Sequence, residues 1–179
     1  MIAASGPSWV LSSFIEAFSP SPHADEALID RVMHEIIHPS LVSLTTRTLS
    51  YRGFLYAGLM LTPRGPRVLE FNVRLGDPET QPLMLRLQSD LAELLMSVRD
   101  GGFKPQPLQW DPRPAACLVM ASPGYPEKPQ VGHEIHGLEA AEKMSDVQVF
   151  HAGTTLNATG HPVTSGGRVL GVTALGADL

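Results

Sequence analysis

Residues 67–75 alternate between two kinds of side chain. One parity is apolar and consists of Leu69, Phe71, Val73 and Leu75. The other parity carries the polar side chains Glu70, Asn72 and Arg74 after Val68. Side chains of a β-strand point to opposite faces with a period of two, so this pattern predicts a strand with one apolar face. Its other face presents a carboxylate, an amide and a guanidinium, with same-face neighbours about 6.5–7 Å apart.

The segments before this strand have their own periodicities. Between residues 24 and 38, apolar residues recur every four positions, which predicts an amphipathic helix that packs against the core. Pro39 is expected to end or kink that helix. Residues 51–62 form a second predicted strand, and the turn at 63–66 joins the two strands in a hairpin.

The segments after the strand predict a helix and then a second unit. Asp90 and Glu93 have the spacing of a capping box and predict a helix over residues 89–100. A proline-rich linker follows, and the composition changes near residue 112. The rest predicts a mostly β unit, with strands over 115–122, 131–136, 147–152, 161–164 and 168–175 and a helical piece over 138–144. The Gly166-Gly167 pair favours a hairpin turn over a phosphate-binding turn.

Composition excludes several classes of protein. The 179 residues carry 13 basic and 18 acidic side chains, a net charge of −5, and no basic run, so nucleic acid is not expected as a partner. No apolar run approaches the roughly 20 residues that cross a bilayer, so no membrane is expected either. The single cysteine, Cys117, is interpreted as a buried apolar residue in a protein of the reducing cytoplasm. His34 and His38 have metal-ligand spacing, but no zinc motif accompanies them.

The polar face of the strand suits a magnesium–nucleotide. Mg²⁺ prefers hard oxygen ligands, commonly one or two from protein, and Glu70 and Asn72 offer such oxygens. Arg74 is suited to hold a phosphoryl group in its planar guanidinium. At Gly76 the strand is expected to stop, with Asp77 and Pro78 as the turn or the start of a helix. A polar strand face is also common without function, because it often meets water.

Two motifs carry a resemblance to a known family. Glu70-x-Asn72-x-Arg74 is similar to a strand of ATP-grasp enzymes, and residues 74–81, Arg-Leu-Gly-Asp-Pro-Glu-Thr-Gln, resemble the signature of their phosphoribosylamine–glycine ligase branch. Further stretches resemble that family in the same order: 17–20, 51–60, 89–94, 150–154 and 166–170. The resemblance runs from about residue 17 to the end of the chain.

The resemblance implies an ATP-dependent ligase of de novo purine biosynthesis. It would join glycine to 5-phosphoribosylamine through an acyl phosphate. The resemblance assigns Glu70 and Asn72 to Mg²⁺ or Mn²⁺, Arg74 to catalysis at the transferring phosphate, and Leu69 to ATP binding. The candidate contacts to glycine or the ribose phosphate are Gly76, Asp77, Pro78, Glu79 and Thr80.

The resemblance also implies an α+β fold in defined parts. Residues 17–104 would be the second half of an ATP-grasp domain, an antiparallel sheet with helices, and 105–112 a linker. Residues 113–179 would be a truncated, mostly β carboxy-terminal domain, and 1–16 an unmatched leader. The expected phosphate-binding loop is absent from the sequence. We therefore expect a carboxy-terminal fragment, whose partner in trans would be the amino-terminal half.

Two other functions stay open. The chain could be a non-catalytic remnant or binding module, which the absent phosphate loop favours. It could also be a biotin-carboxylase-like ATP-grasp enzyme, because these enzymes share the Glu-x-Asn-x-Arg strand. The Gly-Asp-Pro-Glu turn after Arg74 argues against that second alternative.

Overall fold

The computed structural model describes residues 15–46, 51–99 and 107–179. In chain order its elements are β1 (Ile15–Ser19), α1 (Glu26–Val32), a π-helical segment (Met33–Ile37), α2 (His38–Thr46), β2 (Tyr56–Thr62), β3 (Gly65–Asn72), α3 (Thr80–Arg86), α4 (Leu91–Arg99), β4 (Ala115–Ala121), α5 (Leu138–Glu142), β5 (Val147–His151), β6 (Thr154–Leu156), β7 (Pro162–Thr164) and β8 (Arg168–Leu175). This mixture of helices and antiparallel sheets confirms the predicted α+β class.

The described residues form two compact units. The first is drawn from Pro20–Leu75 and Leu87–Trp110, and it contains α1, α2, the β2–β3 hairpin and α4. The second includes β1, α3 and everything from Asp111 to Leu179. The leader predicted for residues 1–16 lies outside the described residues, apart from the two residues that begin β1.

The sequence predicts that the first helix ends or kinks at Pro39 and that a second helical piece continues to about residue 48, and α2 is such a piece. The Asp25 carboxylate caps α1 by accepting the Leu28 N–H at 2.8 Å. Pro39 does not end the helix, because the π-helical segment precedes it and α2 continues through it. A π-helical turn shifts the hydrogen-bond register, which accommodates a residue that has no N–H to donate.

The apolar stripe of this helix is not core. Ile29 is 49% exposed and Met33 is 40% exposed, and neither α1 nor α2 has a buried residue. The prediction of core packing is therefore wrong for this chain. The periodicity identified an apolar face correctly, but no described element of the first unit buries it.

The hairpin forms around the two-residue turn of Pro63 and Arg64, with β2 and β3 antiparallel. Thr62 Oγ1 donates to the Gly65 carbonyl at 2.8 Å and closes the turn. β3 ends at Asn72, three residues before the predicted end at Leu75. In α4, the Asp90 carboxylate accepts the Glu93 N–H at 3.0 Å, as its capping-box spacing predicts.

The second unit is built on a four-stranded antiparallel sheet of order β1-β4-β8-β5. Along β4, the residues Ala115, Cys117 and Val119 are buried and alternate with exposed neighbours. Val149, Val169 and Leu170 form a buried cluster that α5 covers. Burial raises the pKa of the Cys117 thiol, which agrees with its interpretation as a small apolar residue.

Two predictions in the second unit need correction. Residues 131–136 form no strand, only a single bridge between Glu134 and Val163. Gly166 and Gly167 do not make a hairpin turn, because β7 pairs with β6 whereas β8 belongs to the four-stranded sheet. Among the described residues, no helix is both long and apolar enough to cross a lipid bilayer.

Candidate functional site

The exposed face of β3 brings two oxygen-bearing side chains together. Asn72 Nδ2 donates a hydrogen bond to Glu70 Oε1 at 2.9 Å. In the part of the chain that the structure describes, no residue donates to the other Glu70 oxygen or to Asn72 Oδ1. The pair therefore leaves one carboxylate oxygen and one amide oxygen without a donor among the described residues.

Gly58 leaves space for this pair. It lies opposite Glu70 in the hairpin, next to a bulge between Gly58 and Leu59. A Cβ at Gly58 would lie 3.1 Å from Glu70 Cγ, closer than side chains normally pack. The glycine in β2 thus permits Glu70 to lie across the neighbouring strand, the close approach that a strand glycine often marks.

If the Glu70–Asn72 pair binds a divalent metal ion, Gly58→Ala is expected to weaken that binding about three- to tenfold, because the new methyl group displaces the Glu70 side chain. Manganese titration of the 179-residue chain, followed by electron paramagnetic resonance, measures this change. Leu61→Ala in the same strand controls for a general loosening of the hairpin. Equal affinities for Gly58→Ala and the unmodified chain would contradict the role given to Gly58.

The other candidate site residues of the first unit, Arg74 and Leu69, do not join the Glu70–Asn72 pair. Arg74 lies two residues beyond the end of β3, is exposed, and forms no hydrogen bond or ion pair with any described residue. Leu69 lies on the opposite parity from Glu70 and is 64% exposed. The structure therefore joins Glu70 to Asn72 but does not join Arg74 to either.

In the second unit, the turn at residues 76–80 is closed by its own side chains. The Glu79 carboxylate folds back and accepts the Gly76 N–H at 3.0 Å. Thr80 N–H and Thr80 Oγ1 both donate to the Gly76 carbonyl. A Cβ at Gly76 would lie 2.4 Å from Glu79 Oε1, so glycine is required for this arrangement.

Asp77 is tied at both carboxylate oxygens rather than acting as a helix cap. Gln81 Nε2 donates to Oδ1 at 2.7 Å, and Arg168 Nη1 lies 3.3 Å from Oδ2 and 2.9 Å from the Asp77 carbonyl oxygen. Pro78 follows a cis peptide bond, and α3 begins only at Thr80. Residues 77–79 therefore form a turn, one of the two structures expected there, and the helix start is the one that does not occur.

Sequence reasoning missed the residues that hold this turn. Arg168 Nε also donates to the Tyr125 hydroxyl at 3.2 Å, and this hydrogen bond is the main reason that the pKa of Arg168 is raised. In the sequence, Arg168 stands out only as part of a resembling stretch. Its signal was an arginine placed directly after two glycines and before a buried strand.

Elsewhere the described residues offer no competing metal centre. A cavity of about 710 Å³ in the second unit is lined in part by Glu134, His136 and His161. The imidazole nitrogens lie 4.0 and 3.7 Å from the Glu134 oxygens. His34 and His38 stack with ring centroids 6.0 Å apart. Among the described residues, no three His, Cys, Asp or Glu side chains form a metal-binding group.

Comparison with known proteins identifies the class and then the family. Residues 14–80 match the model of the ATP-grasp (A) domain of phosphoribosylglycinamide synthetase, and residues 115–179 match the model of its C domain. The chain thus carries part of an ATP-grasp protein. It belongs to the phosphoribosylglycinamide synthetase family.

Named relatives agree with this assignment. The phosphoribosylamine–glycine ligase of Rhodopirellula baltica is 52% identical over 91% of this chain. Those of Allochromatium vinosum and Xylella fastidiosa are 50% and 49% identical over the same share. The crystal structure of the Thermotoga maritima ligase superposes with a TM-score of 0.73 at 30% identity, covering 91% of this chain. The chain spans 37–38% of the curated relatives' length and 39% of that crystal structure.

Proposed function

We propose that this chain forms part of a cytoplasmic ligase that joins glycine to 5-phosphoribosylamine in de novo purine biosynthesis. In that reaction ATP phosphorylates the glycine carboxylate, and the amine of 5-phosphoribosylamine attacks the acyl phosphate and releases phosphate. The names of the matching relatives support this activity. The structural observation that carries it is the Glu70–Asn72 pair on the open face of β3.

Glu70 and Asn72 are the proposed protein ligands of Mg²⁺, or of Mn²⁺ in its place. The two oxygens without a donor fit this ion, because Mg²⁺ uses few protein oxygens and completes its octahedron with phosphates and water. When bound there, the ion neutralises charge on the phosphates of ATP. The Asn72–Glu70 hydrogen bond orients both side chains before the ion arrives.

Arg74 and Leu69 are the proposed nucleotide contacts. A guanidinium without a protein partner among the described residues is available to stabilise charge on the phosphoryl group in transit. Leu69 supplies apolar surface for ATP, which its 64% exposure makes available. The exposure of each side chain supports its contact with the nucleotide independently of the other.

The turn at residues 76–80 is the proposed contact to glycine or to the ribose phosphate. Its backbone is held by Glu79 and Thr80, and the Asp77 carboxylate keeps unused lone pairs beside its bonds to Gln81 and Arg168. A preorganised turn of this kind binds a small substrate with little ordering cost. The carboxylate of Asp77 suits an amino group.

The proposed macromolecular partner is the rest of such a ligase, bound in trans. The apolar side of the hairpin is open, with Phe71 44% and Val73 68% exposed, and the stripe of Ile29 and Met33 is open as well. Exposed apolar patches mark interaction sites in many proteins. The share of relatives that this chain spans leaves more than half of their length to cover it.

On its own, the chain is expected to self-associate through this surface. Exchanging Phe71 and Val73 for serine should weaken the association about tenfold, because apolar burial is lost at two exposed positions. Analytical ultracentrifugation measures the constant, with Met144→Ser, an exposed change in the second unit, as the control. A monodisperse monomer of the unmodified chain at high concentration would refute the expectation.

An ATP-hydrolysis assay that depends on glycine, 5-phosphoribosylamine and Mg²⁺ tests the proposed activity. Turnover restored by adding the remaining part of a ligase of this family supports it, together with binding in trans. Turnover by the chain alone supports the activity and removes the need for the partner. No turnover in either mixture favours a non-catalytic remnant. The matching names argue against the carboxylase-like alternative.

A further inference from the structure

The backbone of Arg168 is held by neighbouring segments of the second unit. This residue begins β8, the strand that pairs with both β4 and β5. Its carbonyl accepts the Gly153 N–H at 2.9 Å, so its backbone is fixed on the other side as well. Because the Arg168 backbone is held in place, its side chain begins at a fixed position, which suits a residue that orients another side chain.

The glycine pair before Arg168 explains how its side chain is aimed. A Cβ at Gly167 would lie 2.3 Å from the Tyr125 ring, so the ring packs directly on this glycine. That packing places the Tyr125 hydroxyl where it accepts the Arg168 Nε–H at 3.2 Å. Ser122 secures the same segment, because its N–H and hydroxyl donate to the carbonyls of Gly167 and Gly166.

With Nε held by Tyr125, the far end of the guanidinium is directed at the turn. Arg168 Nη1 donates to the Asp77 carbonyl oxygen at 2.9 Å and lies 3.3 Å from Oδ2. One nitrogen therefore holds both the backbone and the side chain of Asp77. The Arg168 side chain is 36% exposed, and no described residue contacts Nη2 through a hydrogen bond.

We propose that Arg168 is a positioning residue that fixes Asp77 and the turn at residues 76–80 for substrate, with Tyr125 and Gly167 aiming it. This inference rests on the proposed substrate role of that turn. It assigns Gly166-Gly167-Arg168 a role other than a hairpin turn or a phosphate-binding turn. The guanidinium uses two nitrogens at a fixed separation, Nε for Tyr125 and Nη1 for Asp77, whereas a lysine ammonium offers a single nitrogen.

Amide hydrogen exchange in the 179-residue chain tests the positioning. Arg168→Met is expected to accelerate exchange at Gly76, Thr80 and Gln81 roughly five- to tenfold, because the charged hydrogen bonds to Asp77 are lost. Arg168→Lys should recover part of this protection, and Tyr125→Phe should lose a smaller part. Unchanged exchange at the turn in Arg168→Met overturns the proposal.

Arg113 provides the matched control. It also joins two segments of the second unit through carboxylates, Asp111 at 2.9 Å and Asp146 at 2.9 Å. Arg113→Met should leave exchange at the turn unaltered, whereas equal acceleration by both variants would mean general destabilisation and sink the proposal. If Arg168→Met does not fold, Asp77→Ala removes the side-chain part of the same contact from the other side, while the bond to the Asp77 carbonyl remains, and it is judged by the same criterion.

Ligand titration separates this inference from the function on which it rests. Glycine and ribose 5-phosphate serve as the probes, followed by amide chemical shifts at residues 76–81. If either probe shifts the turn, Arg168→Met should weaken its binding at least about fivefold while Arg113→Met does not. If neither probe shifts the unmodified turn while exchange responds to Arg168→Met, the substrate role fails and Arg168 only stabilises the turn.

Discussion

Glu70→Ala is expected to lower magnesium-dependent turnover at least about 100-fold in a complete ligase that carries this segment. The variant removes the only anionic oxygen of the Glu70–Asn72 pair, and one neutral amide cannot hold Mg²⁺ against water. The side chain is exposed, so the free energy of unfolding should change by less than about 0.5 kcal/mol. Turnover against magnesium concentration and a thermal melt measure the two effects.

Glu127→Ala is the control for this experiment, because Glu127 is an exposed carboxylate of the second unit with no hydrogen bond to a described residue. Glu70→Gln keeps the shape and removes only the charge, and it should show a defect that high magnesium partly corrects. Normal turnover of Glu70→Ala at low magnesium would show that Glu70 is not a ligand. The same titration with Mn²⁺ reports whether the two ions share the site.

The hairpin was predictable because its information is local. Period-two alternation predicts β3, and the turn predicted at residues 63–66 indicates its pairing with β2, although the observed turn has only Pro63 and Arg64. The end of β3 was not predictable by the same rule, since Val73 continues the alternation after the ladder has stopped. Pairing with β2 is required for a strand, and the β2 partner of Asn72 is Tyr56, the first residue of β2.

The turn shows the opposite case, in which local rules left a turn and a helix start open. Asp followed by Pro is typical of a helix start, yet the partners of Asp77 are Gln81 and Arg168. Arg168 lies 91 residues away in the sequence, and no local pattern reports such a contact. The Asp77 carboxylate therefore binds Gln81 and Arg168 instead of capping a helix, and the segment adopts the turn that was the other expectation.

The difference between local and long-range information also separates the candidate site residues into two groups. Glu70 and Asn72 meet because a strand places residues i and i+2 on one face, which sequence alone determines. The contribution of Gly58 depends on cross-strand register, and that of Tyr125 on packing against Gly167. Residues that bear the proposed chemistry were thus found from the sequence, whereas residues that position them required the structure.

Gly153→Ala is expected to have the largest effect on stability, about 3 kcal/mol, since its neighbours are backbone and cannot rotate away. A Cβ there would lie 2.5 Å from the Arg168 carbonyl oxygen and 2.8 Å from Gly166 Cα. The Gly153 N–H bond to Arg168 and the Ser165 N–H bond to the Gly153 carbonyl would both be strained. Denaturant unfolding followed by circular dichroism measures the loss.

Gly160→Ala is the control, because it places alanine at a glycine that has a positive φ but no steric overlap. Gly160 has φ of +82°, and no atom lies within 4 Å of the position that an alanine methyl group would take. Alanine there should therefore cost only about 1 kcal/mol. Equal losses in the free energy of unfolding for the two variants would show that the close approach of Gly153 to β8 does not add to the cost. A larger loss for Gly153→Ala, together with faster amide exchange at residues 76–81, would connect the start of β8 to the turn that Arg168 holds.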